Sequence, residues 1–259
     1  MTVLSIPASL FDAFPGQRLI LRTADPAEPR RLFGPEVPAA VDFIQVTDLT
    51  RDLAPLADWC EGLALDLVMA DPAVELPLLY RCTALLDRHP VRVSIPVLPG
   101  LAGAVKLAVS LGFSVRLLGH QPTLDALAQL RQALDGYLHN PTVACPVEPF
   151  HSVLLAFLND SPLGLWSLLE QDPAEVCILD ERGAALPDQG PESVADWCAA
   201  LVAAGGQCRD CPWRAPCRGY FKWPRTDYDC AGVKPLFAEL RAAADELRQG
   251  LADYAAAQG

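Results

Sequence analysis

Residues 91–118, VRVSIPVLPGLAGAVKLAVSLGFSVRLL, are the stretch that decides the fold. Residues 91–97 and 114–118 are short apolar runs rich in β-branched side chains, a pattern that predicts buried strands. Residues 101–111 place apolar side chains three and four positions apart, which predicts an amphipathic helix between the strands. Pro99 and Gly100 supply the turn before that helix. Strand, helix and strand in this order predict a β/α unit with parallel strands.

The same alternation extends in both directions along the chain. Strands are predicted at residues 19–22, 41–46, 63–69, 91–97, 114–118 and 142–147, and helices at 53–61, 78–86, 101–111 and 124–138. The predicted strands are apolar nearly throughout, as is typical of parallel strands covered on both faces. This pattern predicts an α/β protein with a partial or full (β/α) barrel, or an open parallel sheet. We assign residues 1–172 to this barrel-like domain.

Composition and charge exclude several classes of protein. Of the 259 residues, 51% are hydrophobic and 20% are charged, which is too apolar for a disordered chain. The net charge of −12 repels phosphate backbones and anionic lipids, which argues against a nucleic-acid-binding or membrane-surface protein. The sequence has no recognisable secretory signal or membrane-spanning segment, so we expect a cytoplasmic protein.

Polar residues follow several of the predicted strands, at the positions where barrel enzymes hold their chemistry. These strand-end residues are Thr47, Asp48, Asp71, His120, Gln121, Cys145, Glu148 and His151. Because the set includes possible acids, bases and metal ligands, an enzyme acting at the barrel mouth is one hypothesis. No glycine-rich phosphate loop, zinc-protease motif or nucleophile elbow indicates a more specific reaction.

Residues 173–259 form a predicted second, smaller module. Residues 177–187 predict a hairpin, 194–204 a helix and 234–257 a closing helix, and a cysteine-rich loop lies between the two helices. That loop holds four of the nine cysteines, in the pattern Cys208-x2-Cys211-x5-Cys217-x12-Cys230. Four thiolates suit either zinc or a [4Fe–4S] cluster. A single short Cys-x2-Cys pair is less typical of zinc ribbons, so the cluster is favoured and zinc is the alternative.

The residues around these cysteines carry a resemblance to a known family. The run 208–224, CRDCPWRAPCRGYFKWP, together with Cys230, resembles the C-terminal half of the SPASM domain of radical SAM peptide-modifying enzymes. The preceding β/α units resemble the later part of a radical SAM barrel. The resemblance implies that Cys208, Cys211, Cys217 and Cys230 ligate one auxiliary [4Fe–4S] cluster.

The sequence also departs from that family. The Cys-x3-Cys-x2-Cys motif that holds the SAM-cleaving cluster does not occur in the chain, so the family reaction is expected to be absent. The Gly-Gly-Glu type segment after the second strand is missing as well, which puts SAM binding in doubt. An inner auxiliary cluster has at most Cys177 and Cys198 to use, so one cluster is expected. Whether those two cysteines belong to a second site stays open.

These observations lead to one leading hypothesis and two alternatives. The leading hypothesis is a pseudoenzyme without independent radical SAM activity, which serves as the iron–sulfur partner or scaffold of a peptide-modifying enzyme. Its cluster would relay electrons or stabilise structure, and its barrel or module would present a precursor peptide. Nearby basic residues would balance the negative charge of the cluster. The alternatives are an enzyme with other chemistry at the barrel mouth and a zinc-stabilised binding scaffold.

Overall fold

The computed structural model describes residues 2–187 and 189–258. In this part of the chain eight strands form one sheet: β1 (Val3–Pro7), β2 (Leu19–Thr23), β3 (Val41–Val46), β4 (Leu65–Val68), β5 (Val91–Pro96), β6 (Ser114–Leu118), β7 (Val147–Glu148) and β8 (Val176–Ile178). Neighbouring strands are parallel, in the order β7-β6-β5-β4-β3-β2-β1-β8. The sheet curls into a half-barrel with β7 and β8 at its edges. The predicted α/β class is confirmed, and the barrel is of the partial kind.

The predicted strands agree with the structure in the middle of the sheet and differ at its edges. Strands β2–β6 begin and end within two residues of their predicted bounds. The strand predicted at 142–147 is wrong except for its last residue, because β7 starts only at Val147. Strand β1 was not predicted. Strand β8 lies in the predicted hairpin, whose antiparallel bridge joins Leu179 to Ala185, but β8 itself pairs in parallel with β1.

Eleven α-helices accompany the strands within the described residues. They are α1 (Glu28–Phe33), α2 (Ala54–Ala57), α3 (Pro72–Glu75), α4 (Leu79–Cys82), α5 (Leu101–Ser110), α6 (Leu124–His139), α7 (Phe150–Leu158), α8 (Leu165–Leu168), α9 (Val194–Ala203), α10 (Arg214–Cys217) and α11 (Lys234–Gln258). None of the helices α1–α11 is both long and apolar enough to span a membrane.

The long predicted helices are confirmed, and two shorter predictions have the wrong length. The bounds of α5, α6, α9 and α11 lie within one residue of the prediction. The helices predicted at 53–61 and 78–86 are instead the single turns α2 and α4, the second followed by the 3-10 turn Thr83–Asp87. Prolines at positions 55, 72 and 77 occupy the first turns of short segments, because proline lacks the N–H that a helix interior requires. Helix α7 was not predicted.

The two faces of the sheet differ, although the predicted strands are apolar nearly throughout. Alternate side chains of each strand point to opposite faces, and one face is mainly apolar and buried. Its buried residues include Ile6, Leu21, Ile44, Leu67, Val93 and Val115. The other face carries Asp66, Arg92 and Arg116 on β4, β5 and β6. The hydrophobic core therefore lies on one side of the sheet, and a charged network lies on the other.

The charged network joins three neighbouring strands to the turn after α8. Arg116 donates to Asp66 Oδ2 at 2.7 Å and to Ser94 Oγ at 3.0 Å, and it also pairs with Glu170. Arg92 donates to Asp66 Oδ2 at 2.8 Å and to Glu170 Oε1 at 2.7 Å. The two guanidinium groups hold the pKa of the Asp66 carboxyl below its usual range, against the opposing effect of its deep burial. The buried charges are thus paired, as a buried network requires.

The cysteine-rich segment packs directly on the half-barrel. The indole of Trp166 donates to the carbonyl of Arg218 at 3.2 Å, and the hydroxyl of Tyr228 donates to the carbonyl of Pro122 at 2.8 Å. The amide of Gln121 donates to the carbonyl of Arg225 at 2.8 Å. One continuous cluster of buried apolar side chains runs from the sheet into this segment. The loop after β6 and helix α8 therefore position the four predicted ligands.

Candidate metal centre

The four cysteines of the predicted site line one common pocket. Cys208 and Cys211 lie in the turns before α10, Cys217 ends α10, and Cys230 begins the 3-10 turn Cys230–Gly232. The remaining walls are mainly aromatic and basic side chains. They include Trp213, Phe221, Lys222, Lys234 and Phe237. The fold thus brings together four thiols that are spread over residues 208–230.

A tight reversal after α10 forms one side of the pocket. Arg218 and Gly219 both have positive φ, at 47° and 77°. A Cβ on Gly219 would lie 2.5 Å from Leu201 Cδ1 and 2.9 Å from Trp197 Nε1, so this position accepts only glycine without rearrangement. The backbone N–H groups of residues 219, 220 and 221, which belong to this reversal, act to lower the pKa of the Cys217 thiol. Several N–H donors around one sulfur stabilise a thiolate.

Burial opposes ionisation of these thiols. It raises the pKa of Cys217 to about 12, although the three N–H groups act in the opposite direction. Burial likewise raises the pKa of Cys230 to about 11 and that of Cys208 above its usual range, against the attraction of Lys222 and Lys234. Metal ligation requires deprotonated thiols, so metal binding at this pocket would release protons.

Lys222 is a buried cation in the pocket wall, with 6% of its surface exposed. Its ammonium group donates to Gln207 Oε1 at 3.2 Å and to the carbonyl of Tyr228. Both partners are neutral, and within residues 2–187 and 189–258 its Nζ forms no ion pair with a carboxylate. A buried charge without an opposite charge is unfavourable. Asp229 is near enough for Lys222 to contribute to the lowered pKa of its carboxyl group, and thiolates in the neighbouring pocket would add further negative charge.

The donor set fits a thiolate-bound metal, but the sulfurs are not arranged as a finished coordination sphere. Among the described residues, no group of three or more Cys, His, Asp or Glu side chains has metal-binding geometry. The enclosed space is about 20 Å³, enough for one water-sized group. This is the size of a single ion. A four-iron cluster is larger than this space, so its binding requires the lining side chains or backbone to rearrange.

The other two cysteines considered for a second site are separated in the fold. Cys177 lies in β8, in register with Leu4 of β1, and does not line the pocket. Cys198 lies on α9, and its proximity to Cys208 contributes to the raised pKa of that thiol. The structure therefore places Cys198 near one of the four cysteines, whereas Cys177 lies in the sheet and lines no part of the pocket.

Most of the strand-end residues have local structural partners instead of converging on one site. The carboxylate of Asp71 caps α3 through the N–H groups of residues 73 and 74, and Asp48 pairs with Arg51. Glu148 accepts hydrogen bonds from Ser152. Further contacts of this kind join Thr47 to Thr23, Cys145 to Gly112 and His151 to Tyr137. The hypothesis of an enzyme at the barrel mouth receives no support from these contacts.

His120 and Gln121 differ from this group because they contact the cysteine-rich segment. The His120 ring lies 4.4 Å from the Tyr220 ring and 5.3 Å from the Trp166 ring, centroid to centroid. Burial lowers the pKa of His120 to about 4, and its Nδ1 is buried without a hydrogen-bond partner in the described structure. A neutral His120 therefore belongs to the junction between β6 and the segment that holds the cysteines.

Sequence reasoning missed Gln207 as a residue of the site. Its Oε1 accepts from Lys222 Nζ at 3.2 Å and from the backbone N–H of Cys230 at 3.1 Å, so it links the cation to a ligand residue. Its Nε2 donates to Asp229 Oδ1 at 2.7 Å. A glutamine directly before Cys208 carries no pattern that indicates this role, because both partners are at least 15 residues away in sequence.

Comparison with known proteins gives no relatives. No protein-family model, curated protein or solved structure matches the chain. The resemblance to a SPASM segment and to a radical SAM barrel therefore stays a prediction that rests on residues 208–230 and on the β/α pattern.

Proposed function

We propose that Cys208, Cys211, Cys217 and Cys230 hold one [4Fe–4S] cluster, and that the protein is a non-catalytic iron–sulfur partner or scaffold of a peptide-modifying enzyme. The observation that carries the metal centre is the convergence of these four thiols on one pocket beside the buried Lys222. The SPASM-like spacing supports a cluster and the connection with peptide modification. The half-barrel or the module presents the precursor peptide to the partner enzyme.

The ligand count supports a non-catalytic role. Four cysteines occupy every protein-ligand position of a [4Fe–4S] cluster and leave no iron open for a substrate. When bound, such a cluster supplies outer-sphere electron transfer or a structural cross-link. The residues of this chain hold the centre, balance its charge through Lys222 and Lys234, and cover it with Trp213, Phe221 and Phe237.

Anaerobic purification with quantified iron, sulfide and zinc tests the metal centre. We expect ~4 irons and ~4 sulfides per chain, with a visible absorption band that bleaches on reduction and an EPR signal of the reduced cluster. The Cys211→Ala variant should lose this signal. The Cys145→Ala variant is the matched control, because Cys145 is a partly buried thiol outside the pocket. Equal loss in both variants, or a preparation without iron, would overturn the iron–sulfur assignment.

The non-catalytic role needs a separate test. The reduced, cluster-loaded chain is incubated with SAM, and release of 5′-deoxyadenosine is measured by chromatography. We expect none from the chain alone, and co-elution of the chain with a peptide-modifying enzyme in size-exclusion chromatography. Reductive cleavage of SAM by the isolated chain would overturn the non-catalytic assignment even if the cluster is present.

One observation favours zinc as the second candidate. The enclosed space of about 20 Å³ is the size of a single ion and smaller than a four-iron cluster. One zinc per chain and no iron, with the zinc lost in Cys211→Ala, would assign the protein as a zinc-stabilised binding scaffold. The metal analysis described above separates the two candidates directly.

A further inference from the structure

The second half of α11 leaves part of its apolar side uncovered. Leu247, Leu251 and Tyr254 are 48%, 62% and 66% exposed and follow each other at four- and three-residue steps. This spacing places them on one side of the helix. They continue the line of Leu240 and Ala244, which are buried. The apolar side of α11 is therefore buried in its first half and continues in its second half as an exposed apolar stripe.

A groove runs beside this stripe. It lies between the C-terminal end of α6, helix α7 and the second half of α11, and has a volume of about 490 Å³. Tyr137, Leu138, Val143 and Leu154 line it from the body of the protein, and Leu247 and Leu251 line it from α11. An apolar groove along a helix is the shape that receives the apolar face of a further helix.

The charges around the groove are mainly acidic. Glu246 lines it, and the exposed Asp135 on α6 and Asp253 on α11 lie outside its lining. His139 also lines the groove, with its Nε2 3.8 Å from Asp135 Oδ1. The nearby cation of Arg248 is already engaged, because it pairs with Asp245 and donates to the carbonyl of Phe157 at 2.6 Å. The whole chain carries a net charge of −12, so its surface attracts basic partners and repels a second copy of itself.

We propose that this groove is a docking site for an amphipathic helix with basic flanks, supplied by a partner protein. The apolar face of that helix packs on Leu247, Leu251 and Leu154, and its basic residues face Glu246, Asp135 and Asp253. The site lies about 20 Å along α11 from Lys234 at the cysteine pocket, because thirteen residues of helix separate Lys234 from Leu247. The proposal does not depend on the identity of the metal.

The test uses the full chain and a synthetic peptide of about five helical turns, with leucines on one face and lysines on the other. Binding is measured by fluorescence anisotropy at low and high salt. We expect saturable binding that weakens with salt. Two control peptides have the same composition in scrambled order, or glutamate in place of lysine. Both should bind at least ~10-fold more weakly, because the scrambled peptide lacks a continuous apolar face and the glutamate peptide lacks positive charge.

The Leu251→Glu variant separates groove binding from general charge attraction. It makes the surface more acidic, so attraction that is only electrostatic would strengthen, whereas binding in the groove should weaken by ~10-fold or more. Leu124→Glu is the control, because Leu124 is 84% exposed on the first turn of α6 and lies outside the groove. Circular dichroism checks that both variants fold.

Three results would overturn the proposal. The first is equal or tighter peptide binding by Leu251→Glu, and the second is equal binding of the scrambled or acidic peptide. The third is a dimer in sedimentation equilibrium that the Leu251→Glu variant abolishes, since a second copy would then cover the stripe. Failure of these tests leaves the metal analysis unaffected, so the two proposals are judged separately.

Discussion

The buried position of Lys222 favours negative charge in the cysteine pocket. A lysine that is 6% exposed and bonded only to neutral oxygens is unfavourable unless negative charge lies nearby. Asp229 supplies part of that charge, and four metal-bound thiolates would supply more. We therefore expect Lys222 to stabilise the metal-loaded chain more than the metal-free chain.

Replacing Lys222 with an uncharged residue should affect the metal-free and the metal-loaded chain differently. Lys222→Met should lower the stability of the metal-loaded chain toward urea more than that of the metal-free chain, and should weaken metal retention against a chelator by about 10- to 100-fold, as loss of an outer-shell partner does. The matched control is Lys106→Met, on the exposed side of α5. Unchanged metal retention in Lys222→Met would show that the lysine does not balance the charge of the centre.

His120 gives a prediction for the pH dependence of stability. Burial lowers its pKa to about 4 in the folded chain, below the ordinary value of 6.5. Between these values the unfolded chain binds the proton more tightly, so stability falls as pH drops from 6.5 toward 4 and is constant with respect to this group below that range. The size of the loss is at most about 3 kcal/mol.

The measurement is the unfolding free energy from urea titrations at several pH values. His120→Phe retains a ring against Tyr220 and Trp166 but cannot bind the proton, so its stability should fall less than that of the wild type between pH 6.5 and 4. His139→Phe, at an exposed position, should follow the wild type. Parallel curves for the wild type and His120→Phe would contradict the buried position of this histidine.

At the scale of elements, the charged network ties three strands and the α8 turn together. Asp66 on β4, Arg92 on β5, Arg116 on β6 and Glu170 come from positions up to 104 residues apart, yet their side chains share hydrogen bonds. Breaking a buried ion pair leaves an unpaired charge, whereas a surface pair contributes little.

Arg116→Met should therefore destabilise the fold by about 3–5 kcal/mol, because it leaves Asp66 and Glu170 with one cation fewer. The control is Arg18→Met, which breaks the exposed pair with Asp42 and should change stability by less than about 1 kcal/mol. Both are measured by urea unfolding at neutral pH. Similar small changes in both variants would show that the network is solvated and contributes little.

At the scale of the whole molecule, the cysteine-rich segment rests on the edge of the half-barrel through a few polar contacts and one shared apolar cluster. Hydrogen bonds from Trp166, Gln121 and Tyr228 hold the segment to the loops after β6 and to α8. A metal centre at the pocket would cross-link residues 208–230. Most of the shared apolar cluster lies in the strands and their helices, so we expect the sheet to remain folded without that cross-link.

Removing the metal should thus loosen one part of the molecule selectively. Hydrogen exchange measured by mass spectrometry, before and after chelation, should show faster exchange for peptides covering 207–233 and unchanged protection for peptides covering β3–β6. The Cys211→Ala variant without chelator should give the same pattern. Uniform loss of protection over both regions would mean that the barrel and the segment unfold as one unit.

The sequence by itself determined the β/α alternation, the bounds of α5, α6, α9 and α11, and the four cysteines of the candidate site. These features are local, because periodicity, turn residues and Cys-x2-Cys spacing are written within about ten to twenty neighbouring positions. The edge strands were not predictable in this way. Strands β7 and β8 have two and three residues, too few to show a period, and their place depends on the partner strand.

Only the tertiary structure decided which charges are buried, how far the sheet closes and what surrounds the cysteines. The partners of Asp66, the burial of Lys222 and the role of Gln207 depend on residues that are distant in sequence and adjacent in space. The sequence pattern around a polar strand residue is the same whether that residue contacts water or another side chain. The free energy of burying a charged side chain depends on that partner, and the partner comes close only when the chain folds.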